Sequence, residues 1–234
     1  MTVQDDERER ELVRLFNLDW DPAHQRAGVD AVLRISHDGV EHDIEVEVKS
    51  TTNDTVSTAR DVGMEHIRKW RRKLFVIGYY SREARRPELQ CCLCLTPADM
   101  KPWIDALEEK ISVDFRIAQR VAGSIELVDL WDVCGQQVAY TAADAKRVLK
   151  QQWTTRQYLD AADGVADGQP SYSPGVMLQV LRLRAGYIAQ RGATLNNPHI
   201  TKNHLSGFLG TDSAIQGDWA ARIRRIAADW LAAH

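Results

Sequence analysis

The sequence predicts an α/β protein, and three observations carry that expectation. Residues 29–36 and 40–49 alternate apolar and polar side chains on either side of His37-Asp38-Gly39, which is the pattern of a β-hairpin. Two continuous apolar runs of strand length follow, LFVIGYY at 74–80 and LQCCLCL at 89–95. Between and beyond these runs, apolar residues recur at helical spacing. The 234 residues are 44% hydrophobic and 27% charged, enough apolar material for one sizeable core or two small ones. That balance excludes a disordered chain, a collagen-like repeat and a disulfide-stapled scaffold.

Taken in order, residues 5–18 are expected to form an amphipathic helix, with acids early and Leu12, Leu15 and Phe16 at helical spacing. A turn-rich piece, 19–28, leads into the hairpin, where Gly39 can adopt the positive φ that a tight turn requires. The polar run after Ser50 reads as a loop in which Ser57 or Thr58, with Asp61, caps a helix to about residue 73. Thr96-Pro97-Ala98-Asp99 opens a helix to about residue 110, with proline in its first turn. IELVDLWDV at 125–133 reads as a further strand, and 141–153 as a helix started by Thr141 and Asp144.

Residues 160–175, DAADGVADGQPSYSPG, have no apolar period and are expected to be a boundary or long surface loop. Beyond them, 176–190 and 219–233 read as helices, separated by the polar, proline-broken GATLNNPHITKNHLSGF. The expected organisation is a core over 1–160, a linker over 161–175 and a mainly helical region over 176–234.

The net charge is −3, but it is unevenly distributed. Residues 1–54 hold 6 basic and 14 acidic side chains. Residues 60–86 hold 9 basic, Arg85 and Arg86 among them, and 3 acidic, and 175–234 hold 7 and 3. Such blocks either neutralise one another across the fold or set a positive rim beside a carboxylate cluster, as a metal-dependent nuclease needs. Cys91, Cys92 and Cys94 fall in one apolar run and read as core thiols, and Cys134 does not complete a zinc spacing with them. The acidic N-terminus and the lack of 18 to 20 uninterrupted apolar residues lead to the expectation of a cytoplasmic protein with no membrane segment. No H-E-x-x-H, G-x-S-x-G, Walker A or G-x-G-x-x-G motif occurs, so the enzyme classes built on them lose support.

The chemistry concentrates in Asp43-Ile44-Glu45-Val46-Glu47-Val48-Lys49. On a strand, Glu45, Glu47 and Lys49 share one side while Ile44, Val46 and Val48 share the other. Asp30 sits in Gly28-Val29-Asp30-Ala31-Val32, and an aspartate there is costly to bury unless a cation balances it. If the strands pair through Asp38-Gly39, Asp30 falls opposite about residue 47. Two carboxylates then reach one hard cation, with the Val48 carbonyl as a further ligand.

Asp followed by Glu-x-Lys on adjacent strands resembles the active-site pattern of the PD-(D/E)xK nuclease superfamily, and the order helix, hairpin, helix, strand over 5–80 is similar. The resemblance implies a restriction-endonuclease-like core of a mixed sheet flanked by helices. It also implies a Mg²⁺ cofactor held by Asp30 and Glu47, and a Lys49 that orients or helps deprotonate the attacking water. Glu45 on the same face and Glu11 on the first helix are candidate supporting carboxylates.

A compact chain of this kind most resembles a type II restriction endonuclease, which implies sequence-specific cleavage of double-stranded DNA by a homodimer. A structure-specific repair or junction-resolving nuclease is the alternative within the superfamily. A non-catalytic DNA-binding module, its hairpin a solvated face of cross-strand ion pairs, is the alternative outside it. Candidate DNA contacts are Ser50, Thr51, Asn53, Arg60, His66, Lys69 and Arg72, and Asn196, Asn197, His199 and Lys202 in the C-terminal region, types that contact phosphates or base edges. Polar surface stretches without DNA contact would carry the same residues.

Overall fold

The computed structural model describes residues 3–20, 30–82 and 87–233. Val29, the turn-rich residues 21–28, and Arg85 and Arg86 lie outside the described residues. The described chain is α/β and divides into two compact units, one of residues 1–110 with 195–234, the other of 111–194. The C-terminal stretch therefore belongs with the hairpin.

The first unit begins with helix α1 (Val3–Leu15), followed by β1 (Ala31–His37) and β2 (Val40–Thr51). The two strands pair antiparallel from His37↔Val40 to Ala31↔Val46. Asp38 and Gly39 both have positive φ, 50° and 77°, the conformation of a two-residue turn whose twist matches the strands it joins. β2 passes into a loop and β3 (Val56–Ser57), then helix α2 (Met64–Trp70), strand β4 (Leu74–Tyr80) and strand β5 (Leu89–Leu95). β4 lies parallel to β2 with Val46 beside Leu74, and β5 lies antiparallel to β4. One face of this sheet, with Ile44, Val46, Val48, Leu74, Val76, Cys92 and Cys94, packs in one apolar core with Leu12 and Phe16 of α1. Gly78 permits that approach: a Cβ there would lie 2.9 Å from both Leu12 methyl carbons.

Helix α2 is shorter than the expected 58–73, and its cap is different. Val56 and Ser57 are drawn into strand pairing, Thr58 Oγ1 donates to the Pro198 carbonyl at 2.6 Å, and Val62 pairs with Leu195. With those residues extended and their hydrogen bonds used, the helix cannot begin until Gly63, whose N–H meets His66 Nδ1 at 3.4 Å.

Helix α3 (Pro97–Gly123) starts where expected, and its first turn is closed by a capping box: Thr96 N–H and Oγ1 both donate to Asp99 Oδ2, at 2.8 and 2.7 Å. The helix accommodates Pro102 in its second turn and runs past residue 110 because neither glycine nor proline occurs again before Gly123. The second unit takes its later turns together with α4 (Leu127–Cys134), β6 (Tyr140–Thr141), α5 (Ala142–Leu149), α6 (Thr155–Ala161), β7 (Gly164–Ala166), β8 (Gln169–Tyr172) and α7 (Pro174–Ala193). The expected strand at 125–133 is helix α4. Asp129 Oδ2 accepts the Glu126 N–H at 2.6 Å, closing the first turn, and Leu130 and Cys134, four apart, are buried. A short apolar run does not distinguish strand from helix by content, and here the cap decides. Helix α5 has the Thr141–Asp144 box but stops at Leu149, because Lys150 and Gln151 are left-handed. Residues 164–172 form a β-hairpin with Asp167 and Gly168 at its turn, where a surface loop was expected. Leu130, Tyr140, Tyr158, Tyr172 and Met177 make the core of this unit.

The chain then returns to the first unit with β9 (His199–Ile200), α8 (Lys202–Ser206), β10 (Ala214–Ile215) and α9 (Trp219–Ala232). β10 pairs with β5, so the main sheet runs β1-β2-β4-β5-β10, and β9 pairs with β3. Ile223 and Ala227 of α9 join the core beside α1. No helix among the described residues is long and apolar enough to cross a membrane.

Candidate active site

The hairpin register carries Asp30 to the position beside Glu47, one step beyond Ala31↔Val46. There Asp30 Oδ2 accepts the Val48 backbone N–H at 3.1 Å and the Lys49 ammonium at 3.0 Å. Lys49 Nζ also lies 3.0 Å from Glu47 Oε1 and donates to the Val48 carbonyl at 3.0 Å. Three oxygens, from Asp30, Glu47 and the Val48 backbone, thus surround one positive charge. They are the three oxygens expected from the sequence to hold Mg²⁺.

Glu47 and Lys49 are each only 6% exposed, although they sit on a strand that looks amphipathic. Their face of the sheet also carries Phe75 and Ile77, by register with Glu47 and Lys49, and both are fully buried. A carboxylate in such surroundings needs compensation, and Glu47 has two sources of it. Its second oxygen, Oε2, accepts a hydrogen bond from Lys73 Nζ at 2.9 Å, and Lys73 is 3% exposed. Lys73 was not among the expected site residues. The signal available for it was its position: it ends a basic run at the threshold of β4, the strand that lies parallel to β2.

Burial acts to raise the Glu47 pKa, but the charges and hydrogen bonds of Lys49 and Lys73 outweigh it and hold the carboxyl at about 2. Burial acts to lower the Lys49 pKa, and Glu47, Asp30 and Glu9 outweigh that and raise it. A carboxylate lowered on folding contributes stability that is present above its ordinary value of 4.5 and is lost as pH falls toward 2. Acid unfolding followed by circular dichroism is therefore expected to show a loss of stability across that window that is missing in Glu47→Gln.

Of the other two expected carboxylates, Glu45 is exposed. Glu11 accepts the Tyr80 hydroxyl at 2.9 Å, and with burial this raises the tyrosine pKa. On α1 it is Glu9 whose charge acts on Lys49.

The candidate DNA contacts fall into distinct situations. Thr51 Oγ1 is used within its own loop, donating to the Thr55 carbonyl at 2.8 Å and accepting the Asn53 N–H at 3.0 Å. Ser50 Oγ is buried and has no hydrogen-bond partner among the described residues. Asn53 Oδ1 accepts from Arg82 at 2.8 Å. Arg60 and Arg72 are exposed, and Lys69 is paired with Glu65 at 3.0 Å. Burial pushes the half-buried His66 imidazole below its ordinary value, against the pull of Glu47.

His199 and Lys202 are brought beside the loop that follows Lys49, although some 145 residues separate them from it in sequence, and Asn196 and Asn197 lie in the same returning segment. Ser57 pairs with His199 in the β3–β9 ladder, the two side chains meet at 3.4 Å, and Lys202 Nζ lies 2.9 Å from Asp54. Asn196 and His199 also line an open groove with Trp103 and Leu107.

Compared with family models and with curated proteins, the chain matches none. Its chemistry rests on the geometry of the residues themselves.

Proposed function

We propose that the protein is a Mg²⁺-dependent endonuclease that hydrolyses double-stranded DNA at specific sequences, in the manner of a type II restriction endonuclease. It would act as a homodimer with one such site per subunit. The observation that carries the reading is the cage of Asp30, Glu47 and the Val48 carbonyl, with Lys49 inside it. Two carboxylates and a carbonyl are hard oxygen donors of the kind a small divalent ion takes, completed by water and substrate phosphate. The buried ammonium centred among them is a stand-in for a cation.

Asp30, Glu47 and the Val48 carbonyl would hold Mg²⁺, which supplies charge to the scissile phosphate and a lowered pKa to water. Asp30 is aimed by the Val48 N–H, so one residue both offers a ligand and orients another. Glu47 is kept ionised by Lys73 at its outer oxygen, leaving Oε1 for the cage. Lys49 donates hydrogen bonds to the attacking water or a phosphate oxygen and offsets the charge that develops there. The adjoining surface of the 50–57 loop and the 196–202 segment supports a role in holding the duplex, through Arg60, Arg82, Asn196 and His199.

The test is incubation of plasmid and phage DNA with the purified chain, with Mg²⁺ or with EDTA. Discrete fragments that need Mg²⁺ support the reading. Mg²⁺-dependent cutting only at branched or flapped DNA would replace sequence specificity with structure specificity, and intact DNA on every substrate would remove the nuclease reading.

A further inference from the structure

We propose that Lys49 is the built-in competitor of the catalytic metal: its ammonium and a divalent cation contend for the same three oxygens, and the cation enters only as Lys49 leaves. This rests on the nuclease reading above. An ammonium has three donors and no acceptor. Here they face Asp30 Oδ2, Glu47 Oε1 and the Val48 carbonyl, each at 3.0 Å. Mg²⁺ requires its oxygens at about 2.0–2.1 Å, so the cage must close around the ion, with no room left for a second cation inside it.

Charge leads to the same conclusion. Asp30 and Glu47 carry two negative charges, and Lys49 and Lys73 carry two positive ones, so these four ion-paired groups balance one another without a metal. Adding a dication while both ammoniums stay in place would leave two positive charges uncompensated in a buried site. Lys73 is not the group that yields: it is bound to Glu47 Oε2, outside the cage. Lys49 is the cation inside it, and Glu9 of α1 is a further carboxylate whose charge acts on it.

Metal binding to the free protein is therefore weaker than the three oxygens alone would give. A DNA phosphate supplies the displaced ammonium with an anionic partner, so DNA and metal favour each other's binding.

The experiment is calorimetric titration of Mn²⁺ into the full chain as wild type, Lys49→Met and Asp30→Asn. The expected result is tighter binding to Lys49→Met, by about tenfold or more, and loss of binding in Asp30→Asn. A lysine ¹⁵N NMR titration of the wild type with Mg²⁺ provides a second readout that needs no variant to fold. The Lys49 ammonium resonance is expected to shift as the ion binds. Asp30-dependent binding that is unchanged or weaker in folded Lys49→Met, or a Lys49 resonance unmoved at saturating Mg²⁺, overturns the competition and leaves the nuclease reading standing. Metal binding that is absent, or indifferent to Asp30, overturns both.

Discussion

Lys49→Ala is expected to abolish Mg²⁺-dependent DNA cleavage, by about 10³-fold or more, while the folded protein still binds duplex DNA. The magnitude follows from the role: removing one preorganised donor from a developing oxyanion costs about 10²- to 10³-fold, and Lys49 supplies both that donor and a full charge. Asp30→Asn and Glu47→Gln are expected to fall as far, through loss of a cation ligand. The measurement is single-turnover cleavage with a gel-shift assay alongside it, in Ca²⁺, to separate binding from chemistry. A Lys49→Ala protein that cuts at the wild-type rate would falsify the proposed role of the cage. If all three variants lose DNA binding as well, the cluster serves the interface, and the non-catalytic reading gains.

Lys73→Met is expected to cost about 3 kcal/mol of stability, near the lower end of the range for breaking a buried ion pair. The lower end applies because Glu47 retains Lys49 at its other oxygen, 3.0 Å away. Methionine fills the lysine's volume without its charge, so the loss reports electrostatics more than packing. Adding Glu47→Gln to Lys73→Met is expected to cost less than the sum of the two single changes, since neither partner is then left charged and alone. Urea denaturation of the four proteins measures the coupling. Additive costs would mean that the 2.9 Å contact between Lys73 and Glu47 contributes nothing to the fold.

Much of the cage was legible from residue order. Alternation along 43–49 and the turn at Asp38-Gly39 set the register that brings Asp30 to Glu47, because a two-residue turn leaves the strands one way to pair. Strands β4 and β5 were also legible, from LFVIGYY with its β-branched and aromatic residues and from LQCCLCL, broken only by Gln90. The helix start at Thr96 and the Thr141–Asp144 box also carried through, whereas the cap expected at Ser57 or Thr58 gave way to strand pairing. The stretch 125–133 shows the limit. Its apolar content suits a strand, and the Glu126–Asp129 box that makes it a helix was present in the sequence but weaker than the pattern around it.

Local sequence by itself determined the hairpin, the two central strands and the alignment of Asp30, Glu47 and Lys49, because periodicity and turn chemistry act over neighbours that the chain already holds close. Only the tertiary structure decided that Lys73 completes the charge balance of Glu47, that 196–202 lies along the loop after Lys49, and that β10 closes the sheet's far edge. The physical reason is common to all three. Each is a pairing between distant segments, chosen by the need to satisfy a buried charge or an exposed strand edge, and neither need is visible until burial defines which groups have lost their water.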